Sequence, residues 1–455
     1  MKKLLTLTGM FCLLIIAAKA QWTTICSSGN GMVVNMINYH DTIYATGFFT
    51  SVCGETARYI AGWDGTSWHA LDTGLSNEGH KLSVIDDQLY VAKYSWAVDS
   101  NWVLRWNGAG FDKVGAGVYL SGAATGTLKT PGLYDIVSYR GKMVVCGEFD
   151  SVGNQGISGI MQWNGSDWEG LGSGLSGAMG MSGIMYPHQM LVIDTSLYVA
   201  GNFTTAGGVT VNGIARWDGY AWHSVGAGFD GIVYALGEID GALYAGGEFT
   251  MSGTIQLQRV AKWSGSEWVY PGFGVYYTSA GVKPYIHTIK QIGSRGVFEG
   301  GFDRLITPAD TMIAHSVVAV RSGGFDTLAG GIANGEFEGL LPYHDTEVLV
   351  GGAIFGFTTS THIAHYRFQS LSVKGVSDSH IRLYPNPVTD VLHIEGCTPG
   401  DIVVITDVTG RRWQEQELTG ANSSVSLKNI PQALLYLRII QPDGSEKMSQ
   451  MLIKE

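Results

Sequence analysis

The sequence is poor in charge and in cysteine, and each shortage excludes something. Charged residues make up 15% of the 455, with 28 Lys and Arg against 39 Asp and Glu, a formal net charge of −11. Phosphate backbones are held by basic patches, so no nucleic-acid partner is expected. The five cysteines form no CxxC pair and no Cys/His spacing of a metal site, although Cys26 and Cys53 are a candidate disulfide. Past the opening apolar run, no segment reaches the ~18 residues of a membrane helix, so no transmembrane segment is expected in the mature chain. G-x-S-x-G, H-E-x-x-H, a phosphate loop and an EF-hand are also missing. The expectation is a non-enzyme with no metal and no cofactor.

Against these shortages stand 64 glycines and 11% aromatic residues. Glycine loses the most entropy on ordering, so this abundance marks turns and close backbone contacts. There is no collagen-like period, and the aromatic share opposes disorder, which leaves a turn-rich all-β protein. The opening MKKLLTLTGMFCLLIIAAKA reads as a secretory signal over residues 1–20, with two lysines, an apolar run and Ala18-Lys19-Ala20 before the cut. An exported chain, secreted or attached at a surface, follows.

Four stretches, WDGTSW, WNGSDW, WDGYAW and WSGSEW, set tryptophans five apart at Trp63 and Trp68, Trp163 and Trp168, Trp217 and Trp222, and Trp263 and Trp268. A Gly-x-Phe mark ending at Phe49, Phe149, Phe203 or Phe249 precedes each first Trp at one constant spacing. Weaker copies pair Trp106 with Phe111 and Val320 with Phe325, and another ends at Tyr366. The period, about 50 residues, is that of a kelch-type propeller blade. The Asp-Gly, Asn-Gly and Ser-Gly steps are hairpin-turn chemistry, which puts the two rings on adjacent strands as packing residues. A four-stranded unit of this kind buries its faces only against its neighbours, so units close into a ring. Trp22 stands as far ahead of Gly47 as Trp222 does of Gly247, so the mature start aligns with the end of a unit. The expectation is a seven-bladed β-propeller of four-stranded blades over residues 21–372, its N-terminal strand closing the last blade.

These repeats resemble kelch-type and galactose-oxidase-like propellers, a resemblance that speaks to fold far more than to function. The copper site of galactose oxidases, two histidines and two tyrosines with one tyrosine joined to a cysteine, is not recognisable here. His362 and His365 are three apart on an expected strand and face opposite ways. Sialidase Asp-boxes separate Asp from Gly, which are adjacent in these repeats.

After residue 372 the repeat stops. Alternating segments divided by Pro, Asn and Gly, among them LYPNPVTDVLHIEG and VVITDVTGRRW, read as a small Ig-like β-sandwich. Tyr384-Pro385-Asn386-Pro387, then Asp407 with Gly410, then Tyr436-Leu437-Arg438 and Lys447, resemble in order the C-terminal sorting domain of type IX secretion cargo in Bacteroidetes, the T9SS type A sorting domain. Leu434 stands where that family usually has glycine. The resemblance implies a sorting domain over residues 373–455, with the type IX secretion machinery as partner through residues 376–455.

Turns within the repeats are tight, whereas the connections from second to third strand and from blade to blade vary. The stretch from the second aromatic mark to the next Phe is short for Trp22 to Phe49 and clearly longer for Phe111 to Phe149. In a propeller both variable connections emerge on one face, and variable loops on a rigid scaffold carry function. That face is the expected binding surface for a glycan or surface protein, with Trp96, Trp102, Tyr119, Tyr186, Tyr276 and Tyr277 as candidate contacts. His188, Lys129 and Lys283 in the same loops are expected to be solvated. The alternative is a secreted propeller enzyme acting on polysaccharide as hydrolase, lyase or oxidase, with its chemistry in the central channel.

Overall fold

A computed structural model describes residues 22–26, 29–94, 100–121, 130–179, 184–279, 281–321, 324–328, 335–343, 347–354, 361–368, 381–407, 412–431, 433–442 and 446–454. Every regular element among them is a strand, and the chain divides into two compact units, residues 1–368 and 369–455. The proposed signal peptide, Trp96, Lys129 and Gly410 lie outside the described residues.

In the first unit, the described residues form six four-stranded antiparallel sheets and one five-stranded sheet, with smaller ribbons beside them. The main sheets start from the strands Val33–Tyr39, Gly79–Ile85, Gly132–Tyr139, Tyr186–Ile193, Val233–Ile239, Thr288–Ile292 and Gly335–Pro342. Each of these strands adjoins the next, and the last adjoins the first. The strand Trp22–Cys26 runs antiparallel to Thr361–Arg367 with Trp22 opposite Tyr366, so the two ends of the unit share one sheet.

The paired aromatic marks explain how neighbouring sheets are held. Trp163 lies opposite Trp168, Trp217 opposite Trp222 and Trp263 opposite Trp268, with Val320 opposite Phe325 in a weaker copy. The second ring of each tryptophan pair is buried and reaches the sheet before it. Trp168 Nε1 donates to the Val114 carbonyl at 3.1 Å, Trp222 Nε1 to Leu171 at 3.1 Å and Trp268 Nε1 to Val225 at 3.0 Å. A left-handed glycine follows each acceptor, and at Gly115 (φ +61°) a Cβ would come within 2.5 Å of Trp168 Nε1. The indole needs that bare backbone to lie flat on its neighbour.

The hairpins between the rings are closed by side chains. Asp64 Oδ1 accepts from the Thr66 and Ser67 amides, and Asp218 Oδ1 from those of Tyr220 and Ala221. These bonds hold both carboxyls well below the usual range. The repeated acids are therefore turn-formers.

The variable connections meet on one face. Gly29–Asn30, which leads into the first main sheet, pairs with Ser51–Val52 from that sheet's second-to-third connection. Leu175–Ser176 pairs with Thr205–Ala206, and Gly274–Tyr276 with Arg304–Ile306, in the same relation.

The second unit has a three-stranded sheet (Arg382–Tyr384, Val391–Glu395, Asn422–Ser426) and a four-stranded one (Arg412–Glu417, Ile402–Asp407, Ala433–Ile440, Glu446–Lys454). Leu392, Ile394 and Val425 from one and Val403, Ile405 and Leu437 from the other share a single core. Cys53 is disulfide-bonded and Cys146 and Cys397 are free. The Cys26 side chain lies outside the described side chains.

Candidate functional site

Where the first strands of the sheets adjoin, their entry ends carry β-bulges. Val34, His80, Tyr134, His188 and Tyr234 are each skipped by the partner strand, and Glu338 holds the same register position. A bulged residue is unopposed and its side chain is re-aimed, which is how these strands turn large polar rings toward their common centre. His287 joins them from the residue just before Thr288–Ile292.

The rings form a continuous belt. Centroids are 5.1 Å apart for His80 and Tyr134, 5.8 Å for Tyr134 and His188, 5.3 Å for His188 and Tyr234, and 4.9 Å for His188 and His287. Tyr94 and Tyr186 stand 5.6 and 5.9 Å from Tyr134, and Tyr285 stands 5.8 Å from Tyr234. Together they line a bowl of about 540 Å³. The middle residues of two Gly-x-Phe marks, Phe48 and Glu148, also line it, and a third, Glu248, accepts from the Tyr234 hydroxyl at 2.9 Å.

Burial fixes the protonation of this belt. His80 Nδ1 lies 3.2 Å from the Tyr134 carbonyl and His188 Nδ1 2.9 Å from the Tyr234 carbonyl. A carbonyl only accepts, so Nδ1 carries the hydrogen and Nε2 keeps its lone pair. Desolvation pushes His80 down to about 3, His188 to about 4 and His287 well below the ordinary value, although each ring keeps some surface in the bowl. Burial, then Glu148, raises Tyr94 to about 12, and burial, then Tyr186, raises Tyr234. At neutral pH the bowl presents uncharged imidazole acceptors, phenolic donors and aromatic faces.

The residues after the bulges tie neighbouring strands together. Asn35 Oδ1 accepts from the Leu82 amide at 3.0 Å, Asp135 Oδ2 from Met190 at 2.7 Å and Gln189 Oε1 from Leu236 at 2.8 Å. Among the described residues, no group of three or more His, Cys, Asp or Glu is arranged to hold a metal ion.

Of the aromatic residues singled out in the sequence, Tyr186 lines the bowl. Trp102 is partly buried on the strand Asn101–Trp106, with Lys113 Nζ 3.6 Å from its ring centre. Tyr119 lies opposite Ser151 and Tyr276 opposite Arg304 on the loop ribbons, both exposed, with Tyr277 half-buried beside Tyr276. Lys283 is solvated, 3.8 Å from Glu248 Oε2. The expectation of a solvated His188 is overturned, because the bulge at the entry of Tyr186–Ile193 turns it into the belt. The belt also holds Tyr134, Tyr234 and His287, which were not singled out. A signal for them exists: Val34, Tyr134, His188, Tyr234 and His287 stand at one shared spacing ahead of Phe49, Phe149, Phe203, Phe249 and Phe302.

In the second unit, Tyr384-Pro385-Asn386-Pro387 is exposed at the end of the strand Arg382–Tyr384, and the Tyr384 hydroxyl donates to Glu395 Oε1 at 2.5 Å. Asp407 ends its strand opposite Leu435, beside Tyr436 opposite Thr406. Lys447 is buried, its Nζ 3.0 Å from Asp401 Oδ2 and 2.7 Å from Thr398 Oγ1.

Residues 382–455 match the family model described as the secretion system C-terminal sorting domain. This is the type IX sorting tail, and it marks the chain as exported cargo that meets the secretion machinery. No curated protein matches the chain. Among solved structures, one described as PorZ, an essential bacterial surface component of the type-IX secretion system of Porphyromonas gingivalis, is 13% identical with a TM-score of 0.44, covering 94% of this chain and 60% of that one. A fungal alcohol oxidase of the AA5 family in complex with copper is 10% identical at a TM-score of 0.40, over 96% of this chain and 99% of that one. The WD40 β-propeller domain of Doa1 is 12% identical at a TM-score of 0.30, over 63% of this chain and 96% of its own. All three are distant likenesses from which no activity transfers.

Proposed function

We propose that the first unit is a seven-bladed, kelch-like β-propeller that binds a glycan or a surface protein through its loop-rich face, at the bowl beneath the loops, without catalysing a reaction. It leaves the cytoplasm behind a signal peptide cut near Ala20, and the Ig-like sorting domain hands it to the type IX machinery. The observation that carries the binding reading is the bowl of tyrosines and neutral imidazoles at the common centre of the sheets. Tyrosine faces stack on sugar rings, while phenolic donors and imidazole acceptors answer hydroxyl groups. A cavity of about 540 Å³ lies within the size range of ligand pockets. The test is binding of the purified full-length protein to panels of glycans and matrix proteins. Saturable binding that weakens in Tyr134→Ala supports the reading, and saturable binding indifferent to Tyr134→Ala contradicts it. For export, deletion of residues 382–455 should hold the protein inside the cell, and normal surface appearance of the truncation would contradict the sorting role.

A second reading, an enzyme acting on polysaccharide, draws on the imidazoles with free Nε2 atoms, which are acid–base groups in waiting. It would be carried by turnover of a bound polysaccharide that falls in His188→Gln far more than binding does.

A further inference from the structure

Beneath the tyrosines the first unit holds two lysines beside a single described acid. Lys81, on Gly79–Ile85, and Lys290, on Thr288–Ile292, line a smaller cavity of about 50 Å³ together with the three imidazoles. The acid beside them is Asp135, which is bonded to Lys81 and two backbone amides and acts on Lys290 only through its field. Its Oδ1 lies 3.4 Å from Lys81 Nζ and accepts from the Ile136 amide at 2.9 Å, and its Oδ2 accepts from the Met190 amide at 2.7 Å. Lys290 is left with no hydrogen-bond or ion-pair partner among the described residues. Burial first, and then Lys81, lowers it to about 8, so it is still mainly an ammonium at neutral pH. Lys290 keeps some surface in the cavity, so its charge is met from there, by solvent or by a bound group. The imidazole Nε2 atoms of His80 and His188 are uncommitted, and His287 Nδ1 is buried without a partner.

We infer that this floor is an oxyanion subsite: Lys290 is the counter-ion and hydrogen-bond donor for a carboxylate or phosphate, and His80, His188 and His287 wall the site. The oxyanion is either borne by the ligand that rests on the tyrosines or taken up as a small free anion. The inference deepens the binding reading and rests on it for the remainder of such a ligand. A cavity of about 50 Å³ has room for a few water-sized groups, which is the size of a carboxylate. Glu148 in the bowl and Glu248 beside Tyr234 set like charge around the entrance, which favours a ligand with one acidic group over a polyanion. Binding is linked to protons. The groups facing Lys290 are Lys81, Asp135, His80, His188 and His287, and an anion held there keeps Lys290 charged and draws a proton onto an imidazole. Affinity therefore falls as pH rises through 8.

The experiment is calorimetric titration of the full-length protein with acetate, inorganic phosphate, galacturonate and, as the neutral control, galactose. It compares wild type with Lys290→Met and, to cover a folding defect, Lys290→Gln, each checked by thermal melting. At least one anion should bind wild type about tenfold or more tighter than a folded variant at pH 6.5, and more weakly at pH 9, while galactose does not distinguish them. Acetate or phosphate binding alone assigns a free anion; galacturonate alone assigns an acidic sugar. If wild type and folded variants treat all three anions alike, including no binding at all, the inference is overturned. Glycan or protein binding on the wider panels with no dependence on Lys290 would overturn this inference and leave the binding reading standing. Lys290-dependent anion binding with an empty panel would do the reverse.

Discussion

The two edges of each sheet in the first unit carry different chemistry on one repeating backbone. At three outer hairpins the same solution recurs: an indole buried against the sheet before it, an N–H given to a carbonyl, and a left-handed glycine beneath the ring. Trp68, also buried, instead leaves its Nε1 without a partner among the described residues. At the inner strands one bulge position holds Val34, His80, Tyr134, His188 and Tyr234 in turn. Assembly demands that neighbouring sheets fit alike, so the outer edge repeats. The inner edge carries no such demand, so the residues there are free to differ. Uniform chemistry marks what holds the unit together, and varied chemistry at a fixed position is what the proposed binding site draws on.

Substitutions should separate these edges, and the largest effect is expected outside. Trp168→Ala removes a buried indole that bridges two sheets and should cost about 3–5 kcal/mol of stability, read as a lowered denaturation midpoint. A loss under about 1 kcal/mol would mean that the ring is not the bridge. Next comes the buried pair of the sorting domain. Asp401→Ala leaves Lys447 without its acid and should destabilise that unit by about 3 kcal/mol, measured by denaturant unfolding of the full chain. The inner edge should respond to acid instead. His80 and His188 take protons in the folded chain only near 3 and 4, whereas an unfolded chain binds them near the ordinary 6.5. The unfolded state then holds more protons between those values, so stability is fully present above 6.5 and declines as pH falls through that window. Allowing for ring surface that meets water in the bowl, His188 alone should account for about 1–2 kcal/mol, and His188→Gln should flatten that part of the profile. The smallest effect on stability is expected for Tyr186→Ala, within about 1 kcal/mol, because its ring lines the bowl rather than the sheet contacts.

The same contrast explains what could be read from the chain. Tryptophans five apart around an Asp-Gly, Asn-Gly or Ser-Gly are legible because a two-ring hairpin turn tolerates few alternatives. The YPNP segment and the strands around it are legible for the same reason: their residue types are fixed. The inner belt is harder, since Val, His and Tyr share a position without sharing a chemistry. His188 reads as a loop residue because Pro187 precedes it and hides the start of its strand, and a bulge has no composition of its own. What betrays the belt is its constant spacing ahead of each Phe mark, and that signal fails at His80, whose sheet lost the mark. Tyr119 and Tyr276 answer to the general rule that exposed loop aromatics bind, whereas the belt draws on strands that begin beneath those loops.

The most direct measurement compares ligand affinity in two double variants of the full-length protein, Tyr134→Ala with Tyr186→Ala in the bowl and Tyr119→Ala with Tyr276→Ala on the loop ribbons. A glycan or protein ligand recovered from the panels should lose about tenfold or more in affinity with the first pair and keep it with the second. Loss with the loop pair and retention with the bowl pair would contradict the account and move recognition from the common centre of the sheets to the ribbons above it.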